Sequence, residues 1–216
     1  IIDRHITTQD ENKLVKETLG VKTTPQTFID GKRIGGNDDL QVFLGNSEPK
    51  KEDDKTYAPI IAIFSVTALM TLALCWAFSI SVLSMQALMW FVALSMCVLA
   101  IKKLEDLEGF TTGFLGYDLL ARRMVRYAYV YPFLEAFAGI AMLADQPWLN
   151  PIAGLVAFTI GLIGGVSVIK AVYIDKRELK CACVGGDSNV PLGAISLTEN
   201  VMMFGMGGYM LVRALL

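Results

Sequence analysis

From Ala58 onward the sequence is a succession of apolar runs of about 17 to 25 residues, the length a helix needs to cross roughly 30 Å of hydrocarbon at about 1.5 Å per residue. Within lipid every backbone polar group must be bonded inside the segment or across a closed barrel, so runs of this kind predict a helical bundle. Five spans are expected, at 58–82, 85–101, 126–144, 151–173 and 192–212. The stretch 107–125, with Phe110, Phe114, Tyr117 and Leu120 among polar residues, reads as a re-entrant or interfacial segment.

Charge is distributed unevenly around this bundle. Residues 1–57 hold 9 of the 19 Lys and Arg residues and 11 of the 21 Asp and Glu residues, in about a quarter of the chain. No basic block with interleaved aromatics occurs, which argues against nucleic acid as a partner. Lys50, Lys51 and Lys55 precede the first span, Lys102, Lys103, Arg122, Arg123 and Arg126 lie between the second and third, and Lys170, Lys176, Arg177 and Lys180 lie between the fourth and fifth. The loops at Ser84 and at Gln146, Pro147 and Trp148 hold none. Lys and Arg collect in short cytoplasmic loops, so the pattern predicts a multi-pass protein of a bacterial cytoplasmic membrane, with its N-terminus cytoplasmic and its C-terminus periplasmic.

The first 45 residues read as a small α/β piece: a strand remnant at Ile1 to Asp3, a helix over about 9–19 that stops at Gly20, strands at 27–29 and 32–34 around the Asp30-Gly31 turn, and a helix over about 38–44. Residues 46–57 form a charged linker to the membrane domain, 58–216. The chain opens at Ile1 without the layout of a secretory signal, and residues are expected upstream of it.

Four cysteines fall into two classes, Cys75 and Cys97 inside apolar runs and Cys181 and Cys183 in a polar loop. Cys181 and Cys183 flank Ala182 and precede Val184, Gly185 and Gly186; a disulfide between them closes a small strained ring that is easy to reduce. Lys176, Arg177 and Lys180 nearby favour the thiolate. The residues alone leave three readings: thiol–disulfide exchange with Cys181 and Cys183 as catalytic groups, soft-metal handling of Cu(I) or Hg(II) by the thiolates, or two plain cytosolic thiols. With His5 the only histidine, no metal constellation is predicted.

Inside the spans, Glu135 lies at a depth where an ionised group costs a few kcal/mol unless protonated, paired or hydrated, so it should face the bundle interior, in a structural hydrogen bond or a proton or redox role. Glu199 and Asn200 read as polar packing groups. Cys75 and Cys97 behave as small apolar residues or as steps of a relay. Gly161 and Gly165 form a small-xxx-small pair suited to close helix packing.

Lys102-Lys103-Leu104, Glu108-Gly109-Phe110, Tyr131-Pro132-Phe133-Leu134-Glu135 and Cys181-Ala182-Cys183-Val184-Gly185 together resemble the layout of the methylamine utilisation protein MauE family and related DoxX-like membrane proteins, over about 85–216. The chain departs from the family pattern with Ala182 for a Gly, Val184 for a Phe, and Glu199-Asn200 where an Arg-Asn pair is common. The resemblance implies a membrane component of thiol and disulfide handling, associated in the methylamine system with maturation of a disulfide-rich periplasmic dehydrogenase subunit.

Residues 1–45 resemble the second half of a glutaredoxin: Thr23 to Gly31 is similar to the stretch around that family's cis proline, and Gly35-Gly36-Asn37-Asp38-Asp39-Leu40 to its glutathione-binding turn. This resemblance implies glutathione as a cofactor held by Thr24, Pro25, Gly36, Asn37 and Asp38, with the Cys-bearing strand and helix of the family expected upstream of Ile1. The fold class expected is therefore mainly α, a polytopic helical membrane bundle preceded by a partial α/β thioredoxin-like segment. The function expected is thiol–disulfide exchange with a cytoplasmic thiol donor and a periplasmic disulfide-containing client, the alternative being a Cu or Hg membrane protein.

Overall fold

The computed structural model of the protein describes residues 9–21, 26–45, 57–177, 179, 181–182 and 190–215, with the backbone alone at Gln9, Asp10, Asn12, Lys13, Asn37 and Asp38. The chain divides into two compact units, Ile1–Asp53 and Asp54–Leu216.

In the first unit, helix α1 (Gln9–Leu19) stops at Gly20, whose φ of +63° is the left-handed conformation that ends helices. Strands β1 (Thr27–Ile29) and β2 (Lys32–Gly35) pair antiparallel with Ile29 opposite Lys32. The turn between them needs positive φ twice, met by Asp30 at 49° and Gly31 at 77°. Helix α2 (Asn37–Phe43) follows. The helix, hairpin and second helix stand where local sequence signals put them. The sheet among the described residues has two strands, which does not amount to a thioredoxin-like fold. The strand remnant expected at Ile1 to Asp3 lies outside the described residues.

The second unit is helical: α3 (Ala58–Ala77), α4 (Met85–Glu105), α5 (Leu107–Leu115), α6 (Val125–Ala144), α7 (Asn150–Val168) continuing into a π-helical turn (Ile169–Ile174), and α8 (Ala194–Leu215). Local chemistry sets the ends. Ser84 caps α4 by accepting from the Ala87 N–H at 3.1 Å, Asp106 caps α5 by accepting from Gly109 N–H at 2.9 Å, and Asp145 ends α6 at φ 42°. Pro132 inside α6 leaves the Ala128 carbonyl without its helical donor.

Four helices are long and apolar enough to cross a membrane: α3, α4, α6, and α7 with its π turn. This corrects the expectation of five. Helix α8 has the length, but Ser196, Thr198, Glu199, Asn200 and Arg213 lower its apolar character. It runs antiparallel along α7, because three α7 glycines let the backbones approach. A Cβ at Gly154 would stand 3.0 Å from the Gly207 carbonyl, and one at Gly161 would stand 2.6 Å from the Phe204 nitrogen. Of the predicted pair Gly161 and Gly165, only Gly161 sits at this crossing; Gly165 faces Asn200 Cβ at an ordinary 3.6 Å. Gly164 is the third, where a Cβ would collide with Asn200 Oδ1.

Helix α3 touches the bundle along one stripe, Ile60, Thr67, Thr71 and Cys75. Ser95 of α4 donates to Thr67 Oγ1 at 3.1 Å, an interhelical bond in the apolar interior. The first predicted span was too long, ending at Ala77 rather than residue 82, and the second too short, since α4 continues to Glu105 and carries Lys102 and Lys103 on the helix.

The segment predicted as re-entrant is α5 followed by a turn over 116–124. Asp118, fully buried, organises that turn: its Oδ1 accepts from Leu120 N–H at 3.0 Å and Ala121 N–H at 2.8 Å, and its Oδ2 from the Ser167 hydroxyl at 3.0 Å. Burial pushes the Asp118 carboxyl above its ordinary value, against the hydrogen bonds that favour the anion. The folded chain then holds this proton more tightly than the unfolded one, so stability from this group is complete below the unfolded value and is lost as pH rises through the folded value. Asp118→Asn is expected to flatten that decline, read as melting midpoints across mildly acidic pH; a slope equal to the parent's would contradict it.

Candidate functional site

The loop after α7 is folded back on itself by two backbone hydrogen bonds, Leu192 N–H to the Leu179 carbonyl at 2.8 Å and Cys181 N–H to the Val190 carbonyl at 2.7 Å. This pairing draws the segment into the bundle. Cys181 and Ala182 are buried at 2% and 3% exposure in one core with Phe110, Phe114 and Tyr117, and a Cβ at Gly113 of α5 would stand 3.3 Å from Ala182 Cβ. The polar loop expected from the sequence is drawn inward at its first cysteine by this main-chain pairing.

Cys181 is disulfide-bonded, while Cys75 and Cys97 are free thiols. Cys183 lies outside the described residues. The Ser196 hydroxyl, in the first turn of α8, donates to Cys181 Sγ at 3.1 Å. Of the basic flank expected to favour the thiolate, Arg177 donates to the Gly116 carbonyl at 2.8 Å, Lys176 is exposed, and Lys180 lies outside the described residues.

Beside this disulfide is a buried ionic cluster. The Lys103 ammonium donates to both oxygens of Glu135, at 2.8 and 2.6 Å, and to Glu199 Oε1 at 2.8 Å. The three side chains are 2%, 0% and 6% exposed. Lys103 comes from the end of α4, Glu135 from the middle of α6 and Glu199 from the second turn of α8, so the cluster fastens three helices together. All three ammonium donors are used.

Aromatic rings close the cluster off. Lys103 Nζ is 5.5 Å from the Tyr131 ring centroid, Phe114 lies 4.7 Å from Tyr131, and Phe110 stacks on Phe114 at 5.0 Å. Burial, then the charges of Glu199, Asp118 and Glu135, hold the Tyr117 phenol well above its ordinary range, so this buried ring keeps its proton.

Glu135 thus faces the interior, as its depth required. Lys103 was missed, because Lys102-Lys103 at the end of an apolar run reads as loop charge. The signal that an intramembrane carboxyl needs a cation was present, but nothing local says which cation turns inward. Glu199, expected to be a packing group, belongs to the cluster.

The other candidates are dispersed. Cys75 lies on the α3 stripe at 2% exposure, and Cys97 faces α6, where a Cβ at Gly139 would be 2.8 Å from its sulfur, so the two thiols face different helices. Among the candidate glutathione residues, Gly36 is the N-cap of α2 and its N–H donates to Asp39 Oδ2 at 2.8 Å. Asn37 and Asp38 are described by their backbone alone, and Thr24 and Pro25 lie outside the described residues. Among the described residues no group of three or more His, Cys, Asp or Glu stands together to hold a metal ion.

Residues 66–213 match the family model described as methylamine utilisation protein MauE. The match begins within α3 and ends within α8, so it includes α3, which the motif resemblance from about residue 85 left out. No curated protein and no solved structure matches the chain. Cys181, Ser196 and all three members of the buried cluster lie inside the matched region, and the chain belongs to the MauE family of membrane proteins.

Proposed function

We propose that this protein carries out thiol–disulfide exchange in the membrane, with Cys181 and Cys183 as its redox pair. The observation that carries the reading is the buried Cys181 disulfide with the Ser196 hydroxyl on its sulfur. Cys75 and Cys97 are free thiols, and in this reading the partner of Cys181 is Cys183, two residues on. Burial shields Cys181, so the proposed attack falls on Cys183, with Cys181 the leaving thiolate.

A dithiol donor supplies both electrons and both protons. Its first thiolate attacks Cys183, the Cys181–Cys183 bond breaks and a mixed disulfide forms; its second thiol then closes the donor disulfide and releases Cys183. A glutaredoxin-type protein with two cysteines fits this donor class, glutathione acting instead as two molecules in turn, and the turn at Gly36, Asn37 and Asp38 with Thr24 and Pro25 is the glutathione contact in this reading. The donor approaches from the cytoplasmic side, toward which the Lys and Arg distribution orients the cysteine loop. The client is a periplasmic disulfide-containing protein of the methylamine dehydrogenase type, consistent with the family.

The test is alkylation of the full chain in membranes on a Cys75→Ser, Cys97→Ser background. Reduction by a dithiol is expected to expose two new alkylatable thiols, with none in the Cys181→Ser, Cys183→Ser variant. A pair that stays closed under every reducing condition sinks the proposal.

A further inference from the structure

The buried cluster has one cation and two carboxyls, a composition a structural pair does not require. With Lys103 charged and both carboxyls ionised the site carries a net negative charge in an apolar interior; with one proton on Glu135 or Glu199 it is neutral. Glu135 accepts from Lys103 through both oxygens and Glu199 through Oε1, so the second carboxylate charge has no cation of its own. Glu199 stands three residues after Ser196 on α8, so the two side chains share a face with Cβ atoms about 5–6 Å apart. Ser196 already donates to Cys181 Sγ at 3.1 Å, and Glu199 holds Lys103 through Oε1. Beside them Asn200 donates to the Ser196 carbonyl at 2.7 Å, and its own Oδ1 is buried with no partner among the described residues, a place for a bridging water.

We propose that the Lys103–Glu135–Glu199 cluster stores the proton that the Cys181 thiolate receives, through the Ser196 hydroxyl, when the disulfide opens. This rests on the exchange reading above. As the donor sulfur bonds to Cys183, the electron pair of the broken bond goes to Cys181. The Ser196 proton passes to that sulfur and the cluster's proton follows to Ser196 along α8, leaving both carboxylates ionised against Lys103. The proton of the donor's first thiol goes to water and that of its second goes to Cys183, and the cluster regains its own proton when the disulfide re-forms, so two electrons and two protons reach the cysteine pair. The titratable groups facing the cluster are Tyr131 and Cys97 from α6 and α4 and Tyr117 from the turn after α5. Tyr117 keeps its proton and Cys97 packs toward Gly139 of α6, so the carboxyl pair is the donor.

Infrared difference spectra of the full chain in lipid nanodiscs, oxidised minus dithiol-reduced, test this. A protonated-carboxyl C=O band that shifts in D2O is expected in the oxidised state and lost on reduction, and it should vanish in Glu199→Gln. Because that variant can misfold, Ser196→Ala is the second arm: it leaves the cluster intact, keeps the band, and should slow exchange with the dithiol by about 10²-fold. A pair that reduces with no carboxyl change, or Ser196→Ala exchanging at the parent rate, overturns the proton store alone. A pair that never reduces overturns the exchange reading, and the store with it.

Discussion

Lys103→Ala is expected to cost about 3–5 kcal/mol of stability, the range for removing one partner of a buried ion pair. The substitution leaves Glu135 and Glu199 facing each other without a counter-ion at 0% and 6% side-chain exposure. Against a total of about 5–15 kcal/mol for an ordinary domain, most of the folded protein should be lost, seen as an early melting transition in detergent and as aggregation on size exclusion. Replacing the whole set, Lys103→Met with Glu135→Leu and Glu199→Leu, should recover the melting point, because an apolar trio in place of a buried ion cluster is close to neutral or stabilising. The recovered protein should exchange disulfides slowly, which separates the cluster's part in holding α4, α6 and α8 together from its chemistry. A single Lys103→Ala that melts with the parent would show that the cluster does not bear on folding.

Gly207→Leu is expected to break the α7–α8 pairing, costing more than the roughly 1–3 kcal/mol usual for overpacking. At Gly207 a Cβ would collide with the backbone nitrogen of Phe158 and lie 2.7 Å from the Gly154 carbonyl, and backbone atoms of a packed helix cannot turn aside as a side chain can. Since α8 carries Ser196, Glu199 and Asn200, the site should fail along with the fold. Gly205, one helix face away, has nothing within 4 Å of such a Cβ; Gly205→Ala should melt at or above the parent, by up to about 1 kcal/mol from helix propensity. Equal effects at the two glycines would mean that the close approach of α7 and α8 is not what their spacing serves.

Much of this architecture was legible in the chain because it follows from short-range chemistry. The 9–19 helix ended at Gly20 and the hairpin turned at Asp30-Gly31 because positive φ is cheap at such residues, and the apolar runs became helices because lipid allows little else. Boundaries were less legible where tertiary contacts override composition. Helix α4 extends past Ile101 to Glu105 because Lys103 has a place to go inside the bundle. Helix α8, read from its sequence as a fifth span, is not among the four membrane-capable helices and stays beside α7 through close glycine contacts.

The apolar runs from Ala58 onward determined by themselves that the chain folds as membrane-capable helices, since length and hydropathy act through the solvent and need no partner. The sequence also picked out Cys181 and the need of Glu135 for company. Only the tertiary structure decided that Lys103 turns inward to Glu135 and Glu199, that Ser196 meets the Cys181 sulfur, and that the loop folds down to bury it. Those choices depend on side chains 32, 96 and 15 residues apart meeting at one depth, and such distances are set by helix crossings that no local pattern encodes.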